Sequence, residues 1–327
     1  MKSKFIRMII GRKVDAWLAS LPTDLNAKVK DDVVVTGGCI TSMLLNEPVN
    51  DFDLYFRTRA SAEAIARHYV NVFKENPPTL FRGTEDRKVE IYVGECTDER
   101  VKIVVKSAGI AGDKGADSYG YFEGDTDDTR AEQFIDQATG ELAEGVAGVV
   151  EDLDDESDSK LDGDTGKDGE NEKPKYRPRF LTSNAITLTD KVQIVLRFIG
   201  EPDAIHANYD FVHCTNYWRS DTRQLHLRQE ALEATLAKSL QYVGSKYPIC
   251  SLVRARKFIK RGWSINAGQF VKMAWRISKL DLENVETLEE QLVGVDAAYF
   301  RQLIDLPRSK GDVVDGSYLM SVIDRVF

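Results

Sequence analysis

Apolar and polar positions along this chain change rhythm several times, and each change marks an element. From Val33 the order is an apolar run (Val33, Val34, Val35), a double glycine (Gly37, Gly38) and a short apolar stretch (Ile40, Met43, Leu44, Leu45). A turn at Pro48 and Asn50 follows, and then Asp51-Phe52-Asp53 leads into Leu54, Tyr55 and Phe56. That order predicts strand, glycine turn, helix and strand. Ahead of it, residues 12–20, with Val14, Trp17 and Leu18 on one side, and residues 24–29 read as short helices separated by Pro22. Residues 61–74 repeat Ile65, Tyr69, Val72 and Phe73 at helical spacing and stop at Pro77-Pro78, as an amphipathic crossover helix would. Residues 88–93 and 101–106 read as strands around a turn at 98–100.

The second half repeats this alternation and then turns helical. Residues 185–188 and 192–198 read as strands, Glu201-Pro202 opens a short helix, and Asp210-Phe211-Val212-His213-Cys214 reads as a further strand. From Asp221 the spacing predicts helices at 225–240 (Leu232, Leu236 and Leu240 at i, i+4 and i+8), 248–261, 267–277, 285–292 and 296–306. Gly262 stops the second of these as a C-cap, and Trp263, Phe270 and Trp275 read as core. The expected fold class is α+β: a mixed β-sheet head over residues 1–218, then an α-helical domain over 219–327.

Charge divides the chain differently. Between Gly112 and Glu172 there are 21 Asp or Glu against 4 Lys or Arg, so a chain with a net charge of −9 has a mildly basic body and a very acidic insert. Residues 112–174 are rich in Gly, Asp, Glu, Ser and Thr and lack the apolar surface that would offset ordering entropy, so a disordered loop insertion is expected. Such an insert is a solvated spacer or an acidic flap that mimics nucleic acid or occupies the basic site, and it could meet a basic partner. No run of eighteen apolar residues occurs, the first residues lack the uninterrupted apolar run of a signal peptide, and Cys39, Cys96, Cys214 and Cys250 lack zinc-site spacing. These features point to a cytoplasmic protein with free thiols and no membrane span.

The chemistry centres on Asp51 and Asp53. Alternation along a strand puts both carboxylates on one face, where like charges are best tolerated with cations between them. Gly37 and Gly38, lacking a Cβ, allow backbone N–H groups to approach phosphate oxygens at a helix start. Asp210 sits in an otherwise apolar stretch, an expensive place for a charge without a metal or a partner. Arg254, Arg256, Lys257, Lys260 and Arg261 crowd onto one helix with no acidic residue nearby in sequence, which suits a triphosphate. His206 and His213 lack the spacing of a metal pair and read as structural.

The arrangement Gly37-Gly38, a dozen residues, then Asp51-x-Asp53 resembles the head of the DNA polymerase β-like nucleotidyltransferase superfamily. It is most similar to the heads of tRNA nucleotidyltransferases and poly(A) polymerases, although Thr41 and Ser42 stand where the tRNA type has an Arg-Asp pair. The resemblance implies a nucleotidyltransferase with Asp51, Asp53 and Asp210 as catalytic residues binding two magnesium ions, manganese being an acceptable substitute. Gly37, Gly38, Ser42, Asn184, Arg254, Lys257 and Lys260 would bind a nucleoside triphosphate, Asn184 lying near the sugar as part of Thr182-Ser183-Asn184-Ala185. The implied reaction moves a nucleoside monophosphate to a hydroxyl, an RNA 3′ end before a protein or small molecule. The other expected function is an inactive member of that fold serving as a binding or assembly factor through its acidic insert.

Overall fold

The computed structural model describes residues 1–75, 89–107 (without 95 and 99), 175–282 (without 182 and 183), 284, 287 and 291. The acidic insertion, Thr182 and Ser183, and the expected helices at 285–292 and 296–306, apart from residues 287 and 291, lie outside the described residues.

The chain opens with helix α1 (Ser3–Ala19), which runs further toward the N-terminus than the 12–20 segment expected, because Ile6 and Ile10 continue the buried stripe of Val14, Trp17 and Leu18. Pro22 caps the short helix α2 (Thr23–Val29). Strand β1 (Val33–Thr36), helix α3 (Gly38–Leu45) and strand β2 (Phe52–Phe56) follow as the sequence predicts. Helix α4 (Arg59–Glu75) buries Ile65, Tyr69, Val70 and Phe73. Among the described residues, strands β3 (Val89–Val93) and β4 (Ile103–Ser107) pair with each other as a two-stranded unit apart from the main sheet.

After the insertion come β5 (Pro178–Leu181), β6 (Ala185–Leu188), β7 (Val192–Val195), the short helix α5 (Pro202–His206), a 3-10 turn at Val212–Cys214, and the hairpin β8 (Tyr217–Arg219) and β9 (Gln224–His226). Helices α6 (Gln229–Leu236), α7 (Pro248–Lys260) and α8 (Ala267–Ile277) form the helical C-terminal part. The main sheet is mixed, in the order β5-β6-β7-β2-β1-β8-β9, with β2 parallel to β7 and the other neighbours antiparallel.

One face of the sheet carries the core. Val33, Val35, Phe52, Leu54, Phe56, Val192, Ile194 and Trp218 pack against α1 and α4, and the indole of Trp17 donates a 2.8 Å hydrogen bond to the Tyr69 hydroxyl between those two helices. Alternation sends the intervening residues, Val34, Thr36, Asp53, Tyr55, Gln193 and Tyr217, to the other face.

Three sequence expectations fail in the second half. Residues 210–214 alternate like a strand, but Val212–Cys214 is a 3-10 turn and the strand comes later, at β8. The single helix expected over 225–240 is split: residues 224–226 pair with β8, and α6 buries Ala231, Ala234 and Thr235 while Leu236 is 82% exposed. Small residues on one side of α6 permit close packing, so the leucine stripe does not set the buried face. Trp263 is core, as expected, but Phe270 and Trp275 are exposed. At the end of α7, Gly262 takes φ +80° and donates to the Ile259 carbonyl, while Trp263 donates to the Phe258 carbonyl and packs its ring 5.4 Å from that of Phe258. This is a Schellman cap with its apolar contact.

Candidate functional site

The site lies on the second face of the sheet, where β2, the 210–214 segment and α7 meet. Thr36 is the register partner of Asp53, so Gly37 stands just beyond the carboxylate. Gly37 has φ 98° and ψ −153°, and a Cβ there would stand 2.9 Å from Asp53 Oδ2. Both the backbone and the close approach therefore demand glycine. Its N–H donates to the Cys214 carbonyl at 3.2 Å. Thus Gly37 shapes the turn and lets the carboxylate in, while Gly38, first residue of α3, has open space beside it.

Asp51 is exposed and Asp53 half-buried. Burial raises the Asp53 carboxyl well above the usual range, Asp51 adds to the rise, and Arg254 opposes it. Although Asp51 reaches solvent, desolvation by the protein crowded around it raises its carboxyl too, opposed by the charge of Lys257. Two carboxylates therefore face the basic side of α7. Arg254, Lys257 and Arg261 share that side, at spacings of three and four; Arg254 is half-buried, whereas Lys257 and Arg261 are exposed, as are Arg256 and Lys260.

Two of the α7 cations already have acidic partners, contrary to the expectation of an uncompensated basic helix. Arg254 donates to Asp210 Oδ2 at 2.7 Å, and the backbone N–H of Phe211 donates to Asp210 Oδ1 at 3.0 Å. Arg261 donates to Glu47 at 2.6 Å and to the Ser42 hydroxyl at 3.2 Å, and Lys238 donates to the other Glu47 oxygen at 2.7 Å. These partners lie 44 to 219 residues away in sequence, so spacing alone hides them. Ser42 is buried against Arg261, and the Thr41 hydroxyl donates to the His213 carbonyl at 2.8 Å, so both residues tie α3 to its surroundings.

Asn184 does not join this group. Its carbonyl accepts from Leu196 N–H at the far end of β7, whereas Asp53 pairs with Gln193 at the near end. Three residues of strand separate those two levels, roughly 10 Å. Conversely, the sequence reading missed Gln193. It is the residue directly beside Asp53 on the neighbouring strand and on the same face, and its only signal was a single polar residue in the apolar run Val192-Gln193-Ile194-Val195.

The two histidines are structural. His206 Nε2 lies 2.8 Å from the Thr36 hydroxyl, and His213 is enclosed by Phe258 and Trp263. Burial lowers each to about 4, so both are neutral. All four cysteines are free, and burial raises the Cys39 and Cys214 thiols, which keeps them protonated. An open depression lined by Tyr92, Arg100, Lys102 and Val104 lies at the β3–β4 hairpin, made up of residues other than the carboxylates. No described helix is long and apolar enough to cross a membrane.

Among the described residues no group of three or more His, Cys, Asp or Glu is placed to hold a metal ion. The expected three-acid, two-metal centre is therefore not assembled: Asp210 is off the sheet and engaged by Arg254, and the strand beside Asp53 presents the neutral amide of Gln193. Asp51 and Asp53 still suit one divalent cation. Magnesium is commonly held by one or two carboxylates together with the phosphates of its ligand.

No solved structure matches the chain. Over 117 residues it is 21% identical to Gabija anti-defense 2 of Bacillus phage SPbetaL7, an alignment covering 35% of this chain and 29% of that relative. Residues 8–238 match the sequence model of the Gabija anti-defense 2 family. That match overturns the polymerase β-like resemblance, and with it both functions and the transferase vocabulary drawn from it. A double glycine followed by Asp-x-Asp is too short to carry a superfamily assignment, whereas the family match spans most of the chain, and on it the chain belongs to the Gabija anti-defense 2 family.

Proposed function

We propose that this protein counters the Gabija bacterial defence system, and that it does so by binding a phosphate-bearing ligand, accompanied by one divalent cation, at Asp51 and Asp53. The observation that carries the ligand reading is the pair of carboxylates set opposite the Lys257 and Arg254 side of α7. Desolvation raises both carboxyls and Asp51 raises Asp53 further, so holding the two ionised together works against the fold. A cation that neutralises them would offset that, and a phosphate group would in turn be attracted by the cation and by Lys257. A bound cation would supply charge neutralisation and a fixed point for the phosphate. Arg254, committed to Asp210, would orient the cleft more than grip the ligand. Nucleoside triphosphates are the first probes, since they combine polyphosphate with a hydrogen-bonding base. A cytoplasmic setting accords with four free cysteines.

Two assays test the two parts. A Gabija-carrying bacterial host that expresses the chain should regain phage plaquing relative to an empty vector, and an unchanged efficiency of plating overturns the anti-defence role. Isothermal titration of the purified protein with each nucleoside triphosphate should show magnesium-dependent binding that Asp51→Asn/Asp53→Asn abolishes. Absence of binding with every nucleotide, with and without magnesium, overturns the ligand reading.

A further inference from the structure

The strand register lays a row of side chains across the second face of the sheet: Tyr217, Thr36, Asp53, Gln193 and Thr187, one from each of five adjacent strands. The two directions away from Asp53 differ. Toward β8, Thr36 is fully buried, with its hydroxyl against His206, and the Tyr209 hydroxyl would lie 3.9 Å from a Cβ at Gly37, so that side is filled. Toward β6, Gln193 and Thr187 are both half-exposed, and so are Val195 and Ala185, the register pair two residues along the same face. Nothing in β2, β6 or β7 among the described residues hydrogen-bonds the Gln193 amide or the Thr187 hydroxyl.

We propose that these four residues form the subsite for the planar, hydrogen-bonding half of the ligand, a nucleobase, whose phosphates sit at Asp51 and Asp53. This rests on the phosphate-ligand reading above. Val195, which also packs against the Val34, Tyr55 and Ile205 cluster, and Ala185 keep partly exposed apolar surface that a ring face can rest on. Gln193 presents a donor and an acceptor together, the pair needed to read a base edge, and Thr187 adds a hydroxyl that can serve as either. Strands stand about 4.8 Å apart, so Thr187 lies about 10 Å from Asp53, a distance that a sugar can bridge. The chain thus carries a built direction for its ligand, from the carboxylates across β7 to β6. Selectivity among bases resides in one amide and one hydroxyl.

The test compares ligands that share phosphates but differ in having a base. Wild type, Gln193→Ala and Thr187→Val are titrated with magnesium and ATP, GTP, CTP, UTP or inorganic tripolyphosphate, with thermal unfolding as a check on folding. Wild type should prefer one or two nucleotides over tripolyphosphate. Gln193→Ala should weaken that preferred nucleotide about tenfold, the scale of one lost hydrogen bond, while leaving tripolyphosphate within about twofold, on the same scale. Thr187→Val should act in the same sense. Equal affinity of wild type for nucleotides and tripolyphosphate overturns the subsite. So does a folded Gln193→Ala that keeps the wild-type preference, or one that loses tripolyphosphate and nucleotide alike. Wild type that binds none of the five overturns the phosphate-ligand reading itself, and the subsite with it.

Discussion

Replacing Gly37 by alanine tests the geometry around Asp53 with a single methyl group, and Gly38 supplies the control one residue away. Gly37 stands at φ 98° and ψ −153°, a region that is essentially closed to residues with a Cβ. Forcing alanine there costs about 1–3 kcal/mol. The new Cβ would also stand 2.9 Å from Asp53 Oδ2, so the carboxylate must turn away from its place beside Thr36. The side chain can rotate, which keeps this second contribution near 1 kcal/mol, the scale of an off-rotamer side chain. Gly37→Ala should therefore destabilise the protein by roughly 2–4 kcal/mol, the sum of those two effects. Gly38→Ala meets nothing within 4 Å and begins α3, where alanine is the better helix former. It should be neutral or stabilising by up to about 1 kcal/mol. Urea unfolding of both variants gives the difference directly, and magnesium-nucleotide titration should show that only Gly37→Ala loses binding. Equal stabilities within about 0.5 kcal/mol, the scatter of surface substitutions, would refute the argument that backbone and carboxylate together demand glycine at position 37.

Other perturbations read the remaining contacts. Arg254→Met should cost about 2 kcal/mol, below the 3–5 typical of a broken buried pair, because only Asp210 is buried and the Arg254 side chain is 40% exposed. A double-mutant cycle with Asp210→Asn in urea should then be non-additive by at least 1 kcal/mol, as for residues in contact, and additivity would show that the ion pair contributes nothing. His206 and His213 are held near 4 in the fold, whereas unfolded histidine titrates about 6.5. The unfolded chain therefore binds more protons between those values, and stability present above pH about 6.5 is lost as pH falls toward 4. His213→Phe, which suits a pocket of Phe258 and Trp263, should flatten that loss in thermal scans from pH 7 to 5, and an unchanged slope would contradict it. Asp53 has the opposite sign: its raised carboxyl means that stability falls as pH rises from about 3.9 through the folded value. Asp53→Asn should accordingly raise the melting temperature at pH 7, and a lowered one would show that the charge is structurally required. Glu47 is held below the usual carboxylate range by Lys238 and Arg261 against the opposing effect of burial, so it stabilises the fold at neutral pH. Glu47→Gln should lower the urea midpoint at pH 7 and lower it less at pH 3.5, below the ordinary carboxylate range, where an effect of equal size would contradict the assignment.

Much of the central unit was legible because the residues that form it are contiguous. The apolar run, the glycine turn and the strand that follows it each follow from local rules, and the structure sends Asp53 to the face opposite Phe52 and Leu54, while Asp51 stands just before the strand. The 210–214 segment was not legible, since its alternation is shared by a strand and by a turn whose apolar residues plug different pockets. The same holds for α6, where Leu232 and Leu236 set a helical period but small residues set the buried side. Pairing across the fold was hidden as well. Nothing local marks Glu47 as the partner of Arg261 or Asp210 as the partner of Arg254, so a helix that reads as an uncompensated basic face carries ion pairs to residues distant in sequence. Gln193 shows the same limit from the other side: its importance lies in the parallel register with Asp53, which no single strand records. The family, too, was beyond reach of a short motif, because a glycine pair and an Asp-x-Asp are shared by unrelated proteins.

The most direct measurement is phage plaquing on a Gabija-carrying host that expresses either wild-type protein or Asp51→Asn/Asp53→Asn, with expression and folding of the variant verified. Relief of carboxylate repulsion should leave the variant at least as stable as wild type, so any loss of function reports the site and not the fold. The account predicts plaquing restored by wild type and not by the variant. A variant that restores plaquing as fully as wild type would contradict it.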